Sequence, residues 1–242
     1  AVMQGTAGTT ALEDIQNRYQ DITPQLLHFL ENHDEQRIAS PEFAGNAEKG
    51  KPALVVSALI SKSPMMIYFG QEVGEDGSEE TGFGDPSRTT IFDYAGVPAH
   101  QRWMNDGKFD GGQLSEEERG LRQYYKRVLN IAARHPAMKG AYLSLHSPSL
   151  QRSSAYDEQL FAFSRYTNES AMIVVSNFSA LPKQDVTIAI PEQLQAEWGV
   201  NRRTRVTDLL TETSDYIEFD GMDAGITLNL GPLESRIYVL TP

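Results

Sequence analysis

The spacing of apolar residues in the first half of the chain predicts helices that alternate with short strands. Apolar residues at helical spacing predict a helix over Thr10–Tyr19. Two nearly continuous apolar runs, over Gln25–Leu30 and Pro64–Gly70, are typical of strands that are buried on both faces of a parallel sheet. A segment rich in Ala, Leu and Val predicts a helix between them, over Ala47–Ser61. This order is that of βα units, which build parallel sheets and (β/α)₈ barrels.

A long irregular segment and a third helix complete this half. The residues from Gln71 to about Gln113 are rich in Gly, Asp, Pro and Ser and predict a segment without regular structure. Inside a compact domain such segments are usually functional. The next helix begins at Ser115, where three glutamates in the first turn complement the helix dipole, and it ends at Pro136. Two strands cannot close a barrel of eight, so at least one face and one edge would be uncovered without neighbouring strands.

The pattern changes to period two near Gly140, as expected for strands with alternating burial. It predicts seven strands, over Leu160–Tyr166, Ala171–Asn177, Val186–Ile190, Arg205–Asp208, Tyr216–Phe219, Ile226–Leu230 and Ser235–Leu240. Short strands at this density predict an antiparallel β-sandwich. We therefore divide the chain into two domains, residues 1–139 and 140–242, and expect the second to be a separate cooperative unit. Its predicted core contains Phe161, Phe163, Val174, Val175, Ile188 and Ile237.

Composition narrows the function classes. Lys and Arg number 21 and Asp and Glu 33, and the formal net charge of −12 argues against nucleic-acid binding. Without cysteine, the chain has no disulfide and no thiolate nucleophile or metal ligand. Its longest apolar stretches, such as Ala53–Ile60, are too short to span a bilayer. The chain begins at Ala1 without an initiator methionine or a signal-peptide pattern, which suggests a processed or excised piece.

The largest cluster of candidate functional residues directly follows the first predicted strand. Residues Glu31–Asp34 place two carboxylates, an amide and an imidazole at the carboxyl end of that strand. One interpretation is an active site. The other, which the residues alone favour, is that Asp34 caps a short helix beginning at Glu35 and that His33 is an ordinary hydrogen-bonding histidine. The remaining histidines are scattered without metal-ligand spacing, and neither a phosphate-binding loop nor a nucleophile elbow is present.

Two motifs resemble one known family. Phe29–Asp34 resembles the strand-seven motif of the α-amylase family of glycoside hydrolases, family 13, and Pro64–Glu72 resembles its strand-eight motif. They occur in the family's order, with a helix between them and a predicted β-sandwich after them, so the resemblance covers essentially the whole chain. It implies an α/β plus all-β architecture. This would be the C-terminal portion of a (β/α)₈ TIM barrel followed by an antiparallel β-sandwich, the family's domain C.

The resemblance also implies roles for individual residues. Asp34 would be the third catalytic carboxylate, which stabilises the oxocarbenium-like transition state of a retaining glycosidase acting on α-glucans such as starch and maltooligosaccharides. His33 would contact sugar hydroxyls at the cleavage point, and Arg37 would help to orient both. The family's nucleophile and acid/base residue lie on strands four and five, which would precede Ala1. The expected partners are therefore an α-glucan and the missing N-terminal half of the barrel, and the chain alone is expected to be inactive.

Other features allow more than one interpretation. Four aromatic residues of the long segment either stack on sugar faces or pack the segment onto the barrel: Phe83, Phe92, Tyr94 and Trp103. Asp85–Arg88 forms a turn or shapes a subsite, and the turn is the favoured interpretation. No cofactor or metal is expected in this chain, whereas calcium is possible in the missing part of the barrel. Two alternative functions are a carbohydrate-binding module, for which Trp198 is the one sandwich tryptophan, and a non-hydrolytic amylase-like structural protein. An extracellular or periplasmic location is expected.

Overall fold

The computed structural model of the protein describes residues 1–79, 88–89, 91, 94–200, 203–220 and 222–240. Its helices are α1 (Thr10–Tyr19), α2 (Gly50–Leu59), α3 (Pro98–Met104), α4 (Glu116–Arg134), α5 (His146–Arg152) and α6 (Glu192–Glu197). Its strands are β1 (His28–Phe29), β2 (Met65–Met66), β3 (Ala141–Ser144), β4 (Leu160–Tyr166), β5 (Ala171–Asn177), β6 (Lys183–Ile190), β7 (Arg203–Asp208), β8 (Ser214–Asp220), β9 (Asp223–Leu230) and β10 (Ser235–Leu240). No helix within these ranges is long and apolar enough to cross a membrane.

Strands β1 and β2 form a small parallel sheet, in which His28 lies opposite Met65. Each strand has only two residues, and no third described strand pairs with either. The predicted burial on both faces is wrong for the first strand and the residues before it, because Leu26, Leu27 and Phe29 are 43%, 51% and 42% exposed. Helix α2 packs against β1. The sequence of this run is thus typical of an interior strand, but the described residues leave several of its apolar side chains exposed to solvent.

The predicted helices of the first half are present, and the start of α4 shows the physical reason. The Ser115 hydroxyl accepts a hydrogen bond from the Glu118 N–H (3.2 Å), and the Glu118 carboxylate accepts one from the Ser115 N–H (2.8 Å). This reciprocal capping box satisfies two donors at the helix terminus. The segment predicted to be irregular contains a 3₁₀ turn over Gln71–Val73 and the helix α3. The sequence pattern does not predict these short elements, because many glycines surround them.

The strands after Gly140 form one eight-stranded antiparallel sheet, in the order β3-β4-β5-β10-β7-β8-β9-β6. All seven predicted strands are present, and β4, β5 and β10 have the predicted bounds. Strand β3 and the helices α5 and α6 were not predicted from the sequence. The sheet curls so that β4 and β5 face β6 and β9 across one apolar core. The predicted sandwich therefore forms from a single continuous sheet.

Both faces of β4 and β5 are buried, and each face contacts a different core. Val175 and Ile188 lie in the core inside the curled sheet. Four other residues of the predicted core pack instead against α2 and α4: Phe161, Phe163, Val174 and Ile237. The prediction of a single core for these six residues is wrong, because successive side chains of a strand point to opposite faces. Whether residues 140–242 unfold as a separate unit stays a prediction.

Candidate functional site

The residues after β1 form a tight turn that exposes Asp34. The side-chain oxygen of Asn32 accepts hydrogen bonds from the backbone N–H groups of Asp34 and Glu35, each at 2.8 Å. The side chains of His33 and Asp34 are 51% and 75% exposed, and His33 Nε2 lies 3.5 Å from Asp34 Oδ2. No helix begins at Glu35. The alternative that Asp34 caps a helix is therefore wrong, since Asn32 makes the capping contacts and leaves the Asp34 carboxylate accessible.

A buried ion pair closes the base of this turn. Arg37 Nη1 donates a hydrogen bond to Glu31 Oε2 at 2.9 Å, and both side chains are almost completely buried. The other carboxylate oxygen of Glu31 accepts a hydrogen bond from the Ile38 N–H at 2.7 Å. Burial raises the pKa of Glu31, and the Arg37 guanidinium and the Ile38 N–H act in the opposite direction. This role of Glu31 could not be found from the sequence, because no local motif relates residues six positions apart in a turn.

Arg37 also connects the turn to the end of the second strand. Its Nη1 donates to the carbonyl oxygen of Phe69 at 2.9 Å, and its Nη2 donates to Thr89 Oγ1 at 2.7 Å. The guanidinium carbon lies 4.3 Å from the centre of the Tyr68 ring. One side chain thus joins the two strand ends and the long segment that follows them. The predicted orienting role of Arg37 stays a prediction, and these contacts support it.

The glycine that ends the second predicted strand has a strict backbone requirement. Gly70 has a φ of +84°, and a Cβ atom at this position would lie 3.0 Å from the Glu75 Cβ. Glu75 is buried, and its carboxylate accepts hydrogen bonds from the backbone N–H groups of Ala99 (2.9 Å) and His100 (3.2 Å). Burial raises the pKa of Glu75, while these N–H groups lower it. The contacts hold the first turn of α3 beside the strand end.

The aromatic residues of the long segment have different environments. Tyr94 is exposed and lies edge-to-face against Phe69, with 5.8 Å between ring centres. Trp103 stacks on His100 at 5.5 Å and contacts Phe109 at 5.8 Å, so packing accounts for its position. Tyr94 has the exposure that stacking on a sugar requires.

Several predicted residues of this segment have no described position. Phe83, Phe92 and Asp85–Ser87 lie outside the described residues. Arg88, the last residue of the predicted turn, is described and exposed. In the described ranges, no group of three or more His, Asp or Glu side chains is arranged to hold a metal ion.

Comparisons with known proteins identify the fold. Neither a protein-family model nor a curated protein matches the chain. Among solved structures, AmyP in complex with maltose matches 96% of this chain with a TM-score of 0.62 and 22% identity. An α-amylase from Geobacillus thermoleovorans, complexed with acarbose, matches all of it with a TM-score of 0.68 and 15% identity. An α-amylase from H. orenii also matches all of it, with a TM-score of 0.60 and 16% identity.

These matches extend over only part of the solved proteins. The chain covers 44% of AmyP, 45% of the Geobacillus enzyme and 46% of the H. orenii enzyme. It therefore spans less than half the length of the structures that it matches. The two-stranded parallel sheet followed by a curled antiparallel sheet corresponds to the expected end of a barrel and a following β domain. The chain has the fold of the C-terminal part of an α-amylase structure.

Proposed function

We propose that this chain is the C-terminal part of an α-amylase-type retaining glycoside hydrolase that acts on α-glucans. One observation carries the proposal: Asp34 and His33 lie side by side, exposed, at the carboxyl end of a parallel strand. In barrel enzymes this end of the strands carries the active site. The solved proteins with this fold include enzymes bound to maltose and acarbose, which supports an α-glucan as the substrate class.

In this proposal Asp34 stabilises the transition state. A retaining glycosidase uses a nucleophile and a general acid about 5–5.5 Å apart and passes through an oxocarbenium-like state. A third carboxylate accelerates the reaction if its hydrogen bonds to ring hydroxyls become stronger as the ring distorts. Asp34 has an exposed carboxylate for such bonds, because Asn32 and not Asp34 binds the backbone of the turn. His33, 3.5 Å away, is placed to bind a neighbouring hydroxyl.

The nucleophile and the acid/base residue are assigned to a part of the barrel outside this chain. An apolar groove of about 520 Å³ supports such a division of the barrel. Its lining includes α1, the residues before β1 and one face of α2, with exposed Ile15, Tyr19, Leu26, Leu27 and Phe29. An apolar surface of this kind is typical of an interface. We assign it to the preceding strands and helices of the same barrel.

The solved structures with this fold include a synthase as well as a hydrolase. A trehalulose synthase, MutB, matches 97% of this chain with a TM-score of 0.57, and a trehalose-6-phosphate hydrolase matches 96% with a TM-score of 0.58. A carbohydrate-binding module is less well supported, because the Trp198 ring is partly buried and packs edge-to-face against Tyr166, at 6.0 Å between ring centres. The non-hydrolytic alternative is decided by an activity measurement.

The test is the Asp34→Asn substitution in the full-length protein. We expect KM and the melting temperature to stay near the wild-type values, while kcat for a maltooligosaccharide falls by about 10³-fold, the scale for loss of a preorganised electrostatic group. Asp14→Asn is the control, because Asp14 is an exposed residue of α1, remote in sequence from the motifs. Turnover near the wild-type value in Asp34→Asn would refute the assignment. A wild-type protein that binds α-glucans without cleaving or transferring them would favour the non-hydrolytic alternative.

A further inference from the structure

We propose that the buried Glu31–Arg37 pair positions Asp34 for catalysis and couples it to the long segment at Thr89. The inference rests on the proposed function, since it concerns the geometry of the same site. Neither Glu31 nor Arg37 can touch a substrate, because both side chains are at most 2% exposed. They act through the turn that carries Asp34, and are therefore positioning residues.

The turn from residue 31 to residue 38 is fixed at two levels. At its base, one carboxylate oxygen of Glu31 binds Arg37 at 2.9 Å and the other binds the Ile38 N–H at 2.7 Å. At its top, the Asn32 side chain holds the backbone N–H groups of Asp34 and Glu35. The backbone of a turn held in this way has little conformational freedom, so the residue that carries the exposed carboxylate is fixed in place. The position of the Asp34 carboxylate therefore depends on the geometry of the base.

The guanidinium of Arg37 fixes that base to two other parts of the site. Its three hydrogen bonds reach Glu31, the Phe69 carbonyl oxygen and Thr89 Oγ1, which lie at the two strand ends and in the long segment. Because the donors of a guanidinium lie in one rigid plane, the three acceptors are held in a fixed arrangement. A lysine ammonium lacks this fork and cannot reproduce it. Thr89 is itself buried, so this point of the long segment is held against the strand ends.

A purely stabilising role explains the arrangement less well. Well-packed apolar side chains can often replace a buried ion pair without loss of stability. Arg37 also leaves its Nε–H buried without a hydrogen-bond partner among the described residues, which disfavours the folded state. Placement matters more at an active site, where an error of about 1 Å can lower the rate about 10²-fold. The Glu31–Arg37 pair thus has the properties expected of residues that position the Asp34 carboxylate.

The experiment compares two double variants of the full-length enzyme. Glu31→Met combined with Arg37→Met removes both buried charges together, so that neither is left unpaired and the protein is expected to fold. The melting temperature should fall through the loss of the hydrogen bonds to Ile38, Phe69 and Thr89. The same variant is expected to lower kcat by about 10²-fold with little change in KM, because the fork that orients Asp34 is lost. The matched control is Asp157→Asn with Lys183→Gln, which removes an ion pair of the antiparallel half. This control is expected to leave both kinetic constants unchanged.

A second variant covers the case in which the double variant does not fold. Arg37→Lys keeps the positive charge but not the fork, and a folded Arg37→Lys enzyme is expected to show the same loss of kcat. Wild-type kcat in either variant, in a protein that is folded by circular dichroism, would overturn the positioning role. If Asp34→Asn also retains full turnover, the proposed function fails and the positioning role fails with it. If only Asp34→Asn loses turnover, the positioning inference alone is overturned.

Discussion

Val174 and Val175 are neighbours in β5, and both are fully buried, but they contact different cores. Val174 packs with residues of α2 and α4, and Val175 packs inside the curled sheet. Through the first of these contacts, the antiparallel half shares a core with the helices of the first half. The effect of a mutation should therefore depend on which of the two neighbours is changed.

Truncation of the two valines tests this difference. Val174→Ala and Val175→Ala should each lower the free energy of unfolding by about 2 kcal/mol, since each removes two buried methyl groups. Amide hydrogen exchange in α4 should become faster in Val174→Ala, while exchange in β6 and β9 should become faster in Val175→Ala. Equal exchange patterns in the two variants would contradict the assignment of separate cores.

Asn32 is predicted to matter for turnover more than for stability. Asn32→Ala removes two hydrogen bonds to the backbone around Asp34. In the full-length enzyme it should lower kcat by about 10-fold or more through misplacement of the carboxylate. The stability loss should be only about 1 kcal/mol, as for other caps of this kind.

A second asparagine provides the control for that measurement. The Asn46 side chain accepts a hydrogen bond from the Glu48 N–H at 2.8 Å, at the start of the 3₁₀ turn before α2. Asn46→Ala should cost a similar amount of stability without lowering kcat. An equal loss of turnover in both variants would mean that global destabilisation, and not the position of Asp34, explains the effect of Asn32→Ala.

Gly70 is predicted to tolerate a side chain less well than another glycine with a similar backbone conformation. Gly45 has a φ of +70°, and apart from Gly45 and its two chain neighbours no described heavy atom lies within 4 Å of the point that an alanine Cβ would occupy. Gly45→Ala should therefore cost only the backbone strain of about 1–2 kcal/mol. Gly70→Ala adds the close approach to the Glu75 Cβ at 3.0 Å and should cost more. Chemical denaturation of the two variants measures the difference, and equal costs would show that the strand end moves freely away from Glu75.

His146 should lower the stability of the protein as the pH falls below about 6.5. The imidazole is fully buried between Thr10 Oγ1 (3.0 Å) and the Tyr156 hydroxyl (2.9 Å), and burial lowers its pKa. The folded state then binds a proton more weakly than the unfolded state, whose histidine pKa is about 6.5. Neutral His146 thus makes its full contribution to stability above a pH of about 6.5. This contribution is lost as the pH falls towards the lower pKa that His146 has in the folded state.

Denaturant titrations at pH 7.5 and 5.5 measure this dependence. His146→Gln replaces the titrating ring with a side chain that stays neutral, so the difference in unfolding free energy between the two pH values should become smaller. Burial also lowers the pKa of His100 and His135, so part of the dependence should remain. An unchanged difference in His146→Gln would show that this residue does not contribute.

The sequence predicted the local elements better than the long-range contacts. The helix Thr10–Tyr19 and the strands β4, β5 and β10 were predicted with the observed bounds, because their apolar spacing is regular. The motif also led to Asp34 and His33, whose roles stay predictions. The bond from Arg37 to the Phe69 carbonyl oxygen could not be predicted, since any residue supplies such an acceptor and the two lie 32 positions apart. The face that each core residue uses was missed for a similar reason, because alternation does not show that both faces are buried.

The last prediction is that the chain alone is catalytically silent and associates with itself. Its apolar groove exposes Leu26, Leu27 and Phe29, and β1 has one strand edge that no described strand pairs with. Such an edge beside an apolar surface favours association. The purified chain should release no reducing sugar from amylose or pullulan above a buffer blank, and its mass in solution should exceed 26.9 kDa.

Leu27→Glu should shift the mass towards the monomer. Leu181→Glu, at an exposed position after β5, should not. Hydrolysis by a monodisperse monomer would contradict the prediction, because it would require a nucleophile and an acid within this chain.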